Sequence, residues 1–301
     1  MTPRLFRNTL LSLVVMAIVV PTASAQVALR YKFKEGEKLQ YEMKNTNKIV
    51  SKVKEQEARV NSSQTMDMTW DVLKVTEKGA QIKVKFGRTK MTMETEMGEF
   101  KIDSADEKDL PDRPEARILA KVVGAMSKLE MVMTMQPDGE VVEVQVPEAT
   151  LKQLQELPGA DQFGEMFSSD GLKKMFGQNG LVMPKGAVTK GQTWKKKGET
   201  KLPFGTIQSV INYTYDGPGE AAGQKVEKIS LTPSASIIAD PNSPFVLKIN
   251  RQKGTGTALF DNAAGRFVEL SMSQEMDMVV EIMDMTVSQN LVQTVSVRLK
   301  Q

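Results

Sequence analysis

Residues 64–72, "QTMDMTWDV", set Met66, Met68, Trp70 and Val72 against Thr65, Asp67, Thr69 and Asp71. The same two-residue period returns in "AQIKVKF" (80–86), where Ala80, Ile82, Val84 and Phe86 oppose Gln81, Lys83 and Lys85. It returns again in "TIQSVINYTY" (206–215), with Ile207, Ile211, Tyr213 and Tyr215 on one side. Successive strand side chains point to opposite faces, so such segments read as antiparallel strands buried on one side only. Turn sequences punctuate them: "EKGA" (77–80), "PDGE" (137–140), "DGPG" (216–219) and "DNAAGR" (261–266).

Helical patterns are few. In "DRPEARILAKVVGAMSKL" (112–129), Asp112 is placed to cap a helix and Pro114 suits its first turn. Ala116, Leu119, Val122, Val123 and Met126 then form one apolar stripe, predicting a helix over about 112–128. A second helical stretch, 147–177, is broken at "LPGA" (157–160) and restarts near Ser169-Asp170. Its Phe163, Met166, Phe167, Met175 and Phe176 need a surface to lie on. A weak internal repeat flanks this connector. "FKEGEKLQYEMKN" (33–45) parallels "VTKGQTWKKKGET" (188–200), and "MQPDGEVVEVQV" (135–146) parallels "LFDNAAGRFVELSM" (259–272).

The expected fold is therefore mainly β: two related antiparallel β halves forming a curved sheet or half-barrel, with a few helices packed on the concave face. The halves are placed at 26–146 and 185–301, and the helical connector at 147–184. Residues 1–25 stand apart. Arg4 and Arg7, the apolar run 9–20 and Ala23-Ser24-Ala25 follow the order of a cleavable secretory signal. The run is short of the ~20 residues that span a bilayer, and no later segment approaches that length. A mature chain starting near Gln26, periplasmic or extracellular and not integral to the membrane, is expected.

Two absences restrict the chemistry. The chain has no cysteine and no histidine. Nucleophile systems built on Ser-His-Asp or Cys-His, and thiolate or imidazole zinc sites, are thereby removed. Carboxylate pairs, lysine chemistry and oxygen-bound metals remain, without a motif to place them, so a non-enzyme with no cofactor is expected. A net charge of +3, which becomes +1 without Arg4 and Arg7, argues against nucleic acid as a partner. "KKKGETK" (195–201) reads as a solvated hairpin face. "DSADEKDLPD" (103–112) lacks the glycine and terminal glutamate of a calcium loop and reads as an exposed connection.

The 20 methionines are the distinctive element. Many fall in Met-x-Met steps at 66/68, 91/93, 131/133/135, 276/278 and 283/285. In a strand each step puts two sulfurs on one face ~7 Å apart. Three readings follow: a buried sheet face packed with a flexible apolar residue, a pocket for a hydrophobic guest, or a thioether site for Cu(I). "MTMETEM" (91–97) reads as a strand with Met91, Met93 and Met97 inward. In "EMDMVVEIMDM" (275–285) the facing changes between Ile282 and Met283, which predicts a bulge or sharp bend. The interleaved acids Asp67, Glu94, Glu96, Asp277, Glu281 and Asp284 fall on the opposite, wet face.

The signal segment, the opening "LRYKFKEGEKLQYEM" (29–43) and the mid-chain "LVMPKGAVTKGQTW" (181–194) resemble an uncharacterised family of exported bacterial proteins, a domain of unknown function. The resemblance extends over most of the mature chain. It implies an envelope or secreted protein with no catalytic residues to carry over. In strand-helix order the chain is also similar to lipoprotein-carrier half-barrels, curved sheets whose hollow face binds acyl chains.

The function expected from the sequence is a non-enzymatic envelope protein holding a hydrophobic small molecule, a lipid or an apolar protein segment in a Met-lined pocket. Met66, Met68, Trp70, Met91, Met93, Met131, Met133, Phe163, Phe167, Met276 and Met278 are its candidate lining. A structural module with a solid core that docks an envelope partner, and a Cu(I)-binding protein, are the alternatives.

Overall fold

The structure, a computed structural model, describes residues 26–106, 113–156, 168, 171–172, 174, 177, 180–202, 205–241, 243, 245–282 and 285–300. The signal segment, Asp112, the "LPGA" break, Phe163, Phe167, Met283 and Asp284 lie outside these residues. The protein is mainly β. In chain order come β1 (Lys38–Val53), β2 (Gln56–Thr76), β3 (Gly79–Thr95), β4 (Gly98–Asp103), α1 (Pro114–Met126), β5 (Glu130–Met135), β6 (Val141–Gln145) and α2 (Glu148–Gln155). They are followed by β7 (Thr193–Leu202), β8 (Gly205–Ala221), β9 (Gln224–Ala239), β10 (Phe245–Asp261), β11 (Arg266–Ile282) and β12 (Met285–Leu299).

All these strands join one antiparallel sheet, ordered β6-β5-β3-β2-β1-β12-β11-β10-β9-β8-β7, with β4 paired to the far end of β3. The chain thus begins in the middle of the sheet and meanders out to β6. The connector carries it to the opposite edge, and it meanders back until β12 pairs with β1 from Tyr41↔Leu299 to Lys52↔Ser288. The halves are fused through their first and last strands.

The repeat seen in the sequence is a repeat of geometry. Gly36 and Gly191 both take positive φ, +79° and +87°, where a side chain would be strained. Gly36 N donates to Val72 O and Val72 N to Glu37 O; Gly191 N donates to Tyr215 O and Tyr215 N to Gln192 O. The side-chain oxygens of Glu37 and Gln192 each accept from the backbone three residues earlier, at Lys34 and Thr189. Leu39 and Trp194 then head β1 and β7.

The sheet is not closed into a barrel. The connector runs between its two edges instead. Met183 N donates to Asp138 O at the β5–β6 turn (2.7 Å), and Trp194 Nε1 on β7 donates to Val182 O (2.7 Å). Unpaired edge strands invite association, and a covering segment removes that hazard. The stretch before β1 seals the same end: Tyr31 N bonds Pro137 O and Lys32 N bonds Gly265 O, one turn from each half.

One continuous core results. The inward side chains of "AQIKVKF" (Ala80, Ile82, Val84, Phe86) pack with Leu29, Tyr31, Leu39, Tyr41, Tyr213, Ile229 and Phe260. Leu154 of α2, Leu172, Leu181 and Met183 of the connector enter the same core. A floor of aromatics crosses the junction of the halves: Tyr41 stacks on Phe267 (4.6 Å between centroids) and lies 5.1 Å from Trp70. The Arg266–Glu37 ion pair (2.7 Å) ties the halves beside it. A small second cluster sets α1, through Ala120 and Val123, on Ile102 and Met91 at the far end of β3 and β4.

Four local expectations are corrected. Arg113, not Asp112, precedes α1, and its side chain makes no cap hydrogen bond. "DGPG" lies within β8 as a register shift between Tyr215 and Gly217, and the chain turns later, between Ala221 and Gln224. The bulge or sharp bend expected near 282 within one strand is a reversal of the chain between two strands, because Ile282 of β11 pairs with Met285 of β12. Met97 is not inward: β3 ends at Thr95, and Met97, in the β3–β4 turn, is 74% exposed.

Candidate functional site

The antiparallel register sorts the turns into two ends. Turns at 76–79, 135–141, 221–224 and 261–266 gather at the end filled by the core. Turns at 53–56, 95–98, 202–205, 239–245 and 282–285 gather at the other. The core stops part-way along the strands. Its last inward row on the central strands is Met43, Val297 and Leu270, joined by Met272.

Beyond that row the inward face turns polar for one step. Asn45 faces Gln64 across β1 and β2; Asn47 faces Ser62 on one side and Gln293 on the other; Gln293 faces Gln274. This is a belt of amides crossing four strands. Asn47 Nδ2 donates to Ser62 Oγ (3.3 Å) and Gln293 Nε2 to Asn45 Oδ1 (3.4 Å). Among the described residues, the side chains of Gln64 and Gln274 make no hydrogen bond.

Above the belt the face is apolar, and no described element packs on it. In register lie Val60, Ile49, Leu291 and Met276; then Met278 beside Ile249; then Val287, Val280 and Leu247. Two polar features interrupt it: Gln289 Nε2 donates to Ser51 Oγ (3.2 Å), and Gln252, opposite Met276, is bonded through its amide to the Ala235 backbone. None of these apolar residues belongs to either packed cluster. From Gln274 to Ile282 every residue of β11 is half-buried, inward and outward alike. An inward face under a packed layer would be buried like that of β3. This one is only half-buried, a trough as far as the described residues go.

The opposite face of the same strands is densely ion-paired. Arg251 bridges Asp277 (2.7 Å) and Glu275 (3.2 Å), and Lys248 bonds Glu281 (2.8 Å). Lys300 pairs with Asp67, and Glu94 accepts from Asn61. Of the acids interleaved with the methionines, Asp67, Glu94, Asp277 and Glu281 therefore sit on the wet face; Glu96 lies in the β3–β4 turn and Asp284 outside the described residues. Among the described residues, no group of three or more His, Cys, Asp or Glu could hold a metal ion.

The sequence-predicted lining is divided by the structure. Met66, Trp70, Met131 and Met133 are core residues, 1–8% exposed, and Met68 packs against them. Met91 lies under α1, and Met93 is half-buried beside it. Met276 and Met278 line the trough. Phe163 and Phe167 lie outside the described residues. Sheet order also separates the methionine steps: β5, carrying Met131 and Met133, is parted from β11 by β3, β2, β1 and β12. Sequence reasoning missed Ile49, Val60, Leu247, Val280 and Leu291. Their inward parity was readable, but not their lack of a cover.

One lysine faces inward at the β7 edge. Lys196 Nζ donates to Gly177 O (2.6 Å), and burial pulls its pKa down to about 8 despite the pull of Glu140 and Asp138. The basic run "KKKGETK" is thus a solvated face only in part, since Lys196 is its inward member. The folded state binds this proton more weakly than the unfolded chain, so stability is expected to rise between about pH 8 and 10.5. Below that window the charge costs about 3 kcal/mol net of the Gly177 bond, and removing the lysine leaves that carbonyl without its donor, at a cost of about 1 kcal/mol. Lys196→Met is expected to raise stability at pH 7 by ~2 kcal/mol and to flatten the rise. Urea unfolding of both proteins across this range checks it; parallel profiles would refute it.

Two further clefts carry charged side chains. One of about 700 Å³ lies at the closed end between Lys32, Glu220, Lys225, Glu227 and Asn262. On its wall, Tyr215 OH donates to Glu227 Oε2 at 2.5 Å, and burial raises the tyrosine pKa. The other, about 650 Å³, lies by Arg88, Lys90, Lys101 and Asp103, where Arg88 is bonded to Asp103 (2.6 Å) and holds its carboxyl down to about 2.

Residues 77–221 match the model of a family of unknown function, DUF6263. The match runs from the β2–β3 turn through β8, which takes in both sheet edges and the connector. It is narrower than the resemblance over most of the mature chain suggested: β1 and β10–β12, the trough strands, lie outside it. No curated protein matches the sequence. Among solved structures, lipovitellin is similar at 10% identity and a TM-score of 0.45, over 90% of this chain and 26% of that one. The chain thus spans about a quarter of the lipovitellin chain it matches. OpdQ of Pseudomonas aeruginosa is similar at 8% identity and a TM-score of 0.25, over 88% of this chain and 100% of that one. The translocator domain of the autotransporter NalP from Neisseria meningitidis gives 9% and 0.19, over 88% and 89% of the two chains. These likenesses do not bear on function. No helix among the described residues is long and apolar enough to cross a membrane.

Proposed function

We propose that this protein is a non-enzymatic, exported binding protein that holds a hydrophobic ligand in the trough above the amide belt. One observation supports this most directly: the inward face from Ile49 and Val60 to Val280 and Leu247 is apolar, yet no described element packs on it. Apolar surface left in water costs ~25 cal/mol per Å², and contiguous exposed patches on a folded chain mark binding sites. Met276 and Met278 suit the role, because unbranched thioether side chains adapt to guests of varied shape. The closed end supplies the rigid part. Its single core fixes the strands that carry the trough, so a guest need not order them.

Export rests on the N-terminal segment, whose basic, apolar and small-residue order is that of a cleaved signal. The absence of histidine and cysteine from the sequence favours binding over catalysis. The test is solvent extraction of protein purified from its own envelope fraction, with mass spectrometry of the extract. A hydrophobic compound recovered at near one equivalent supports the reading. An empty extract, together with no enhancement of a solvatochromic dye on the delipidated protein, refutes it.

A further inference from the structure

We infer that the ligand of the trough is an uncharged long-chain amphiphile, its polar end at the amide belt and its chain along β11 toward the open end. This rests on the hydrophobic-ligand reading above and narrows it to one chemical class. The argument is one of charge. From the belt to the open end, the inward positions of β1 are Asn45, Asn47, Ile49, Ser51 and Val53, and those of β11 are Gln274, Met276, Met278, Val280 and Ile282. Their partners on β2, β10 and β12 are likewise uncharged, while the outward positions of these strands carry the ion pairs of Arg251, Lys248, Asp277 and Glu281. A carboxylate or phosphate head drawn into this face would lose water and meet no cation, which is strongly unfavourable.

An inward cation does exist at the β7 edge, Lys196, but Gly177 O holds its ammonium, Asp138 and Glu140 lie near it, and burial favours its neutral form. What the belt offers instead is neutral hydrogen bonding. An amide side chain both donates and accepts, matching a hydroxyl, ester or amide head. Gln64 and Gln274 are the amides of the belt free to do so, facing Asn45 and Gln293. Length agrees with the class. From Gln274 to Ile282 the strand rises roughly 26 Å, enough for a long hydrocarbon chain.

The experiment compares three ligands of equal chain length on the delipidated protein by displacement of a solvatochromic dye: a monoacylglycerol, the fatty-acid anion and the alkylammonium ion. The monoacylglycerol is expected to bind at least tenfold more tightly than either ion. Gln274→Leu is expected to weaken the monoacylglycerol several-fold relative to an alkane of equal chain length measured on the same variant. An anion that binds as tightly as the neutral ligand, or a Gln274→Leu variant that binds monoacylglycerol as before relative to the alkane, overturns this inference while leaving a hydrophobic site in place. If neither the dye nor any of the three binds, the hydrophobic-ligand reading fails as well.

Discussion

Replacing Trp70 with alanine is expected to cost the fold about 3–5 kcal/mol, the range for deleting a large aromatic from a core. Trp70 is 8% exposed and lies against Tyr41, Phe33 and Phe267, with centroids 5.1, 6.5 and 5.9 Å away. Tyr41 and Trp70 come from the first half and Phe267 from the second, so the floor they build is shared. The loss should therefore appear in one cooperative transition, not in the melting of one half. Urea unfolding followed by tryptophan-independent far-UV signal is the measurement. Two separated transitions, or a loss under 1 kcal/mol, would contradict a single core.

The second large effect is on binding. Met276→Asp puts a carboxylate in the trough, in register with Leu291, where a bound chain would have to desolvate it. At least a tenfold loss of affinity for a neutral hydrophobic ligand is expected, with little loss of stability because Met276 is only half-buried. Val279→Asp is the matched control. It lies three residues along the same strand, is equally half-buried, and faces outward between Lys248 and Ser288. That variant should bind as the parent does. Equal losses in the two variants would place the ligand away from the inward face.

Much of the fold was legible because strand periodicity is local. The inward set Ala80, Ile82, Val84 and Phe86 follows from parity alone, and the structure buries all of it. The repeat around Gly36 and Gly191 was visible because the same backbone turn needs the same residue types. Where neighbours in sequence were uninformative, reading failed. In "EMDMVVEIMDM" the change of parity was legible and its cause was not, because a bulge within a strand and a reversal between two strands both shift the phase of the apolar residues. "DGPG" has turn composition, yet Gly217 with φ +102° serves a bulge within a strand, which glycine also permits.

The candidate site was legible only in part, and the reason is the same. Met131, Met133, Met276 and Met278 look alike in sequence: methionines at alternate positions, with polar or β-branched residues between them. The first pair is buried at 1% and 4%, because α2, the connector and the stretch before β1 converge on the closed end. The second pair lies in the first two rows beyond the amide belt, where no described element reaches.

By itself the sequence determined the strands, the direction each side chain takes, the charge on one face and the want of charge on the other. Those properties depend on alternation along a single segment. Which inward residues became core and which became trough was decided by the tertiary structure. Side-chain parity is set within a strand, but cover comes from segments more than a hundred residues away, such as Leu181 lying against Tyr31.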